Sequence, residues 1–211
     1  MSMFPARARA GIAAATLLLT LVGCVTAQDT LTGTDAQGRR AFLLYAGEKG
    51  PVWLQAGNAG IAAPGAASAA VAEAASGAVF GMNTTFTADR TAAAHPNYRV
   101  LVLFDPAVAT STDDVCRSFP SDVPAVRFTD RTNLFLAFCA RQESIAGAIV
   151  RGPKLTRLDD PKLREMVRAG IREMFPQNDG GRERNQPPIL GSIRAAPNAG
   201  FRLNPLEGLF N

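Results

Sequence analysis

The stretch Tyr98-Arg-Val-Leu-Val-Leu-Phe104 is the strongest strand signal in this 211-residue chain, and Asp105-Pro106 stops it. It is β-branched, aromatic and apolar almost throughout. With hardly a polar tooth to face water, it predicts a central strand covered on both sides. Downstream, Asn133-Leu-Phe-Leu-Ala-Phe-Cys139 and residues 145–150 predict two more strands, antiparallel across Arg141-Gln-Glu-Ser144. Alternation puts Phe135, Ala137 and Cys139 on one face of the first, and Leu134, Leu136 and Phe138 on the other. Between these and the central strand, Ser111-Thr-Asp-Asp114 reads as a helix start before Val115 and Cys116. Ala125-Val-Arg-Phe128 reads as another short strand.

Upstream, Thr84-Thr-Phe-Thr87 has strand character with one apolar tooth. In the alanine-rich run before it, Val71, Ala74, Ala75, Ala78 and Val79 recur at i, i+3, i+4, i+7 and i+8, predicting a helix from about Ala66 to Phe80 with Gly81 as its stop. Its small side chains suit close approach to a sheet; the glycines Gly57, Gly60 and Gly65 leave a linker open as the alternative for its first part. Ala41-Phe-Leu-Leu-Tyr45 and Val52-Trp-Leu-Gln-Ala56 flank Gly47-Glu-Lys-Gly50, a loose hairpin pattern, although the first run can also be a mere ordering segment. Trp53, the one tryptophan, is expected in the core with its N–H near a rim.

The last helix is the best signalled. Asp160 suits the N-cap and Pro161 the first helical position. Leu163, Met166, Val167, Gly170, Ile171 and Met174 make one apolar face, and Lys162, Arg164, Glu165, Arg168, Arg172 and Glu173 a solvated one, before Phe175-Pro176 ends it. These elements predict an α/β (α+β) two-layer sandwich, a mainly antiparallel sheet with two helices on one face. The domain is expected over residues 41–176. Residues 24–40, small and polar, read as a tether. Residues 177–211, interrupted by Gly180-Gly181, Pro187-Pro188, Pro197 and Pro205, read as a disordered tail, with Ile189-Leu190 and Leu209-Phe210 leaving docking open.

The N-terminus gives an address. Residues 1–10 carry Arg7 and Arg9 and no acid, and residues 11–22 are apolar apart from Thr16 and Thr20, too short to span a bilayer. The run closes on Leu21-Val22-Gly23-Cys24, which resembles the lipobox of bacterial lipoproteins. That resemblance implies removal of residues 1–23, lipid on the Cys24 thiol, an acylated Cys24 amine, and lasting attachment through several acyl chains. Val25 in place of Asp implies sorting to the outer membrane, with the domain facing the periplasm. The body resembles small proteobacterial lipoproteins of unknown function in Tyr98-Arg-Val-Leu-Val-Leu-Phe104, Asp105-Pro106, Cys116, Phe138-Cys139 and the helix ending Phe175-Pro176. That resemblance supplies no activity.

Loss of residues 1–23 lowers the basic count from 22 to 20 against 18 acidic residues, a formal +2. No Lys/Arg block is present, which argues against nucleic acid as a partner. With Cys24 assigned to lipid, Cys116 and Cys139 remain as an even pair in an oxidising compartment, and a disulfide between them is expected. Two cysteines and a lone His95 make a metal site improbable, and no cofactor is implied.

No nucleophile elbow, zinc-protease helix, P-loop or dinucleotide fingerprint occurs. His95, before Pro96, reads as a surface loop residue. Asp113-Asp114 and Asp159-Asp160 precede helices, where acids complement the dipole. Asp105, at the end of the central strand, is better placed for a site, although turn formation accounts for it equally well. The leading expectation is a non-catalytic lipoprotein that binds or supports an envelope component. Its rivals are an envelope hydrolase using carboxylates such as Asp105 and Asp114, and a small-molecule or lipid binder with an apolar cavity.

Overall fold

The computed structural model describes residues 24–30, 33–107, 111–119, 126 and 128–177; the segment read as a signal and all but the first residue of the tail lie outside them. Six strands make one sheet: β1 (Thr26–Asp29), β2 (Val52–Gly57), β3 (Phe86–Thr87), β4 (Tyr98–Phe104), β5 (Arg131–Ala140) and β6 (Glu143–Pro153). Their spatial order is β1-β6-β5-β4-β2-β3. Four helices accompany them: α1 (Ala36–Gly47), α2 (Pro64–Ala75), α3 (Thr112–Arg117) and α4 (Pro161–Met174).

β4 has the expected bounds, and its last five residues are buried. Antiparallel β5 and β6 also form, joined through Arg141 and Gln142, with Arg141 at a φ of 55°. The sheet is nevertheless mixed and not mainly antiparallel, because β2 pairs parallel with both β3 and β4. The cause is α2. Parallel neighbours need a long crossover, and the alanine-rich helix supplies it between β2 and β3.

Alternate residues of β4 sort the helices. Val100, Val102 and Phe104 share a core with α1, α2 and α4, whereas Leu101 and Leu103 pack with Val115 and Cys116 of α3. Three helices therefore cover one face and a short one the other, in place of two on one face. On the first face α4 comes close: a Cβ on Gly170 would lie 2.7 Å from Leu136 Cδ1 and 3.0 Å from Val150 Cγ2. α2 ends earlier than its periodicity predicts, at Ala75, where Gly77 takes a φ of 67°. Arg168 Nε of α4 donates to Ala74 O at 3.2 Å and Arg172 Nε to Ala78 O at 3.3 Å. Arg168 satisfies a carbonyl that the end of α2 leaves open, and Arg172 one in the segment that follows, so part of the face read as solvated ties α4 to α2 and the chain leaving it.

The largest departure is at residues 24–47. The polar run read as a tether holds β1, antiparallel to β6 with Thr26 opposite Arg151, and the first turns of α1. The run Ala41-Phe-Leu-Leu-Tyr45 is helical and not half of a hairpin. Asp35 caps α1 by accepting from Gly38 N at 2.6 Å, and Ala36, Arg39, Leu43 and Ala46 turn inward at helical spacing. Arg39 donates to both Asp29 oxygens at 3.0 and 2.9 Å and, through Nε, to Thr34 O at 2.7 Å. Asp29 N donates to Glu173 Oε1 at 3.1 Å, so Glu173 is not left to solvent. Of the strand expected at Ala125-Val-Arg-Phe128, Val126 and Phe128 are described and lie in no strand; the rest falls outside the described residues.

Cys116 of α3 and Cys139 of β5 form a disulfide, with Cα atoms 5.6 Å apart and both residues fully buried. It fastens α3, whose six residues bury only Val115 and Cys116, to the sheet. Closing a loop of this length stabilises by about 3 kcal/mol on the chain-entropy model. The double variant Cys116→Ala/Cys139→Ala is expected to lose about that much in urea unfolding. A loss under about 1 kcal/mol would show that the fold does not depend on the bridge.

Candidate functional site

The parallel pair β2 and β4 leads the chain away to opposite faces: β2 continues to α2 and β4 towards α3. Strand ends where neighbouring connections diverge in this way leave a crevice beyond their carboxyl ends. A cavity of about 430 Å³ lies there, lined by Asn58–Ala62, Pro64, Phe104, Asp105, Thr132, Lys154 and Leu155.

Each strand ends in a residue with unusual backbone. Asn58 follows β2 at a φ of 60° and Asp105 follows β4 at 46°. Asn and Asp are the residues other than glycine that adopt this left-handed geometry most readily. Asp105 is 7% exposed and tightly fixed: its N–H donates to Asn133 O at 2.8 Å, and its Oδ1 accepts from Asn133 N at 2.7 Å. Its Oδ2 lies 3.6 Å from Lys154 Nζ. One carboxylate oxygen of Asp105 is thus held by the neighbouring strand β5 and not by a local turn, and the other meets a lysine in the cavity. Asn58 Nδ2 is buried with no hydrogen-bond partner, an arrangement that costs about 1–3 kcal/mol if nothing binds it. Below, buried Thr132 accepts from Leu155 N at 3.0 Å. Pro64 begins α2 at the rim, and Ala63 before it offers no side-chain cap. The crevice thus joins an amide donor, an ammonium and a carboxylate to the apolar surfaces of Ile61, Phe104 and Leu155.

The other residues singled out in the sequence lie elsewhere. Asp113 Oδ1 accepts from Ser144 N at 3.4 Å, and Ser144 pairs with Cys139, about six residues along β5 from Asn133, so Asp105 and Asp113 are separated by about 20 Å. Asp114, its neighbour, is held by Ser111 and lies 3.6 Å from Arg117. A hydrolase built on Asp105 and Asp114 would need both in one cleft, and they are at different ends of the sheet. Asp160 caps α4 through Lys162 N at 2.8 Å. Asp159 pairs with Arg157, whose hydrogen bond holds its carboxyl below the usual range. His95 is not a bare surface residue: its ring stacks on Tyr45 with centroids 4.5 Å apart, and Nε2 lies 3.8 Å from Glu48. Trp53 is half-buried on the α3 face, between the guanidiniums of Arg90 at 5.3 Å and Arg99 at 5.6 Å. Burial first, and then Arg90, push Arg99 below its ordinary pKa.

Cys24 is exposed, two residues before β1. Among the described residues, no three His, Cys, Asp or Glu side chains gather to hold a metal ion, and no helix is long and apolar enough to cross a membrane. Of the crevice residues, the sequence singled out only Asp105. Asn58 and Lys154 carry little signal, because they follow the runs ending at Ala56 and Val150 by two and four residues. Comparison with protein-family models, with curated proteins and with solved structures finds no match.

Proposed function

We propose that the chain is a lipoprotein of the bacterial envelope, held through lipid on Cys24 at the outer membrane and facing the periplasm. Its domain is a non-catalytic binding module in an accessory role. Leu21-Val22-Gly23-Cys24 supports the anchor, and a buried disulfide suits an oxidising compartment.

The observation that carries the binding role is the crevice itself, with Asn58 Nδ2 unpartnered beside a loosely paired Asp105 and Lys154. Its polar groups are complementary to a small zwitterion: the Asp105 carboxylate faces an ammonium, and Lys154 and Asn58 face a carboxylate. Ile61, Phe104 and Leu155 accept an apolar side chain. Amino acids and short peptides have this chemistry.

Melting of the mature chain, carrying Cys24→Ser, with millimolar leucine or alanyl-alanine tests the crevice. N-acetylglucosamine and inorganic phosphate serve as comparisons. A ligand at a hundred times its Kd stabilises by about 2.7 kcal/mol, and the zwitterions are expected to raise Tm by several degrees. Asn58→Ala and Lys154→Ala are expected to abolish the shift. No shift with either zwitterion, or one unaltered by both substitutions, would remove the crevice as the site. Separately, intact mass of the envelope-purified protein is expected to show lipid that Cys24→Ser eliminates.

A further inference from the structure

A second cavity, of about 300 Å³, lies beside the α3 face of β5 and β6. Asn133 and Arg151 are directly opposite across the two strands, and Arg131 stands two residues from Asn133 on the same face. Phe135 and Ile149 floor the cavity, and Phe128 lines it under the Arg131 guanidinium, 4.4 Å from its ring centre. No carboxylate is among the lining residues. Among the described residues neither arginine has an ion-pair partner, although Asp130 precedes Arg131 in the chain. Asn133 Oδ1 is buried with no partner, and turning the amide presents Nδ2 in its place.

Two uncompensated guanidiniums above an aromatic and aliphatic floor are complementary to one kind of molecule. We infer that this cavity binds an amphiphilic anion, a carboxylate or phosphate head held by Arg131, Arg151 and Asn133 with its hydrocarbon against Phe135 and Ile149. Guanidinium forks match both head groups with paired hydrogen bonds. The register adds a source. Thr26 is opposite Arg151, so Cys24 begins two residues from this cavity, and lipid on Cys24 brings the membrane to its mouth. A phospholipid or a free fatty acid can supply the head group. The site is separate from the crevice and does not rest on what the crevice binds.

Calorimetric titration of the mature Cys24→Ser chain with laurate, dodecyl phosphate and neutral dodecanol, below their aggregation limits, tests the inference. At least one anion is expected to bind, and Arg131→Ala and Arg151→Ala each to weaken it about tenfold or more, the size of one lost charge-assisted hydrogen bond. Both arginines are exposed, so these variants are expected to melt like the parent. Lys154→Ala in the crevice is expected to leave the affinity unchanged. Preference for dodecyl phosphate points to a phospholipid head, and preference for laurate to a fatty acid. Binding of neither anion, equal binding of dodecanol, or affinity indifferent to both arginines would overturn the inference.

Discussion

Asp29→Ala is expected to cost the domain about 3–5 kcal/mol, because it strands a charge that water does not reach. Arg39 is 6% exposed and rests on both oxygens of Asp29. With the carboxylate gone, the guanidinium keeps only Thr34 O among these contacts. Urea unfolding at constant m-value measures the loss. The double variant Asp29→Leu/Arg39→Met removes both charges and is expected to recover most of it, since a buried pair is often no better than apolar side chains of similar volume. A single-variant loss below about 1 kcal/mol would mean that β1 and α1 are not held by this pair.

Phe138→Ala is expected to cost a similar amount, about 3–5 kcal/mol, by another route. Phe138 is fully buried at the centre of the first core. Its ring meets Phe175 edge-on with centroids 5.3 Å apart and Tyr98 at 6.4 Å, so it joins β5 to the end of α4 and to β4. Truncation leaves a void that these two rings are too rigid to fill. A Tm lower by roughly 10 °C is the expected reading, and Phe138→Leu is expected to lose much less. Similar losses for Leu and Ala would mean that the ring contacts, and not the filled volume, set the cost.

The elements legible in the sequence are those whose pattern and burial agree. β4 is apolar because both its faces are covered, and α4 shows its stripe because its other face is charged. Cys116 and Cys139 are the even pair that remains once Cys24 is set aside, and they form the disulfide. α1 was hidden because the residues it buries are Ala36, Arg39, Leu43 and Ala46, small or charged for the most part, while Phe42, Leu44 and Tyr45 are exposed. An apolar run on the outside of a helix imitates a strand. β1 was hidden because Thr26-Ala-Gln-Asp29 is an edge strand with little apolar surface, fixed by an ion pair to a helix ten residues on.

The crevice was partly legible for a related reason. Asp105 announces itself by ending a strong strand. Asn58 and Lys154 follow β2 and β6; β2 adjoins β4 in the sheet, β6 lies beyond β5 on its other side, and neither strand is next to β4 in the sequence. Only the parallel pairing of β2 with β4, imposed by α2, brings the first of them to the site.

β1 also sets how far the domain can travel. Had residues 24–40 been loose chain, an anchored Cys24 would have let the domain roam some 55 Å from the bilayer. With Val25 alone between Cys24 and the sheet, that leash is about 7 Å. If Cys24 carries lipid as proposed, the domain would be a fixture with little room to search, and whatever it binds would have to come to the membrane to be met.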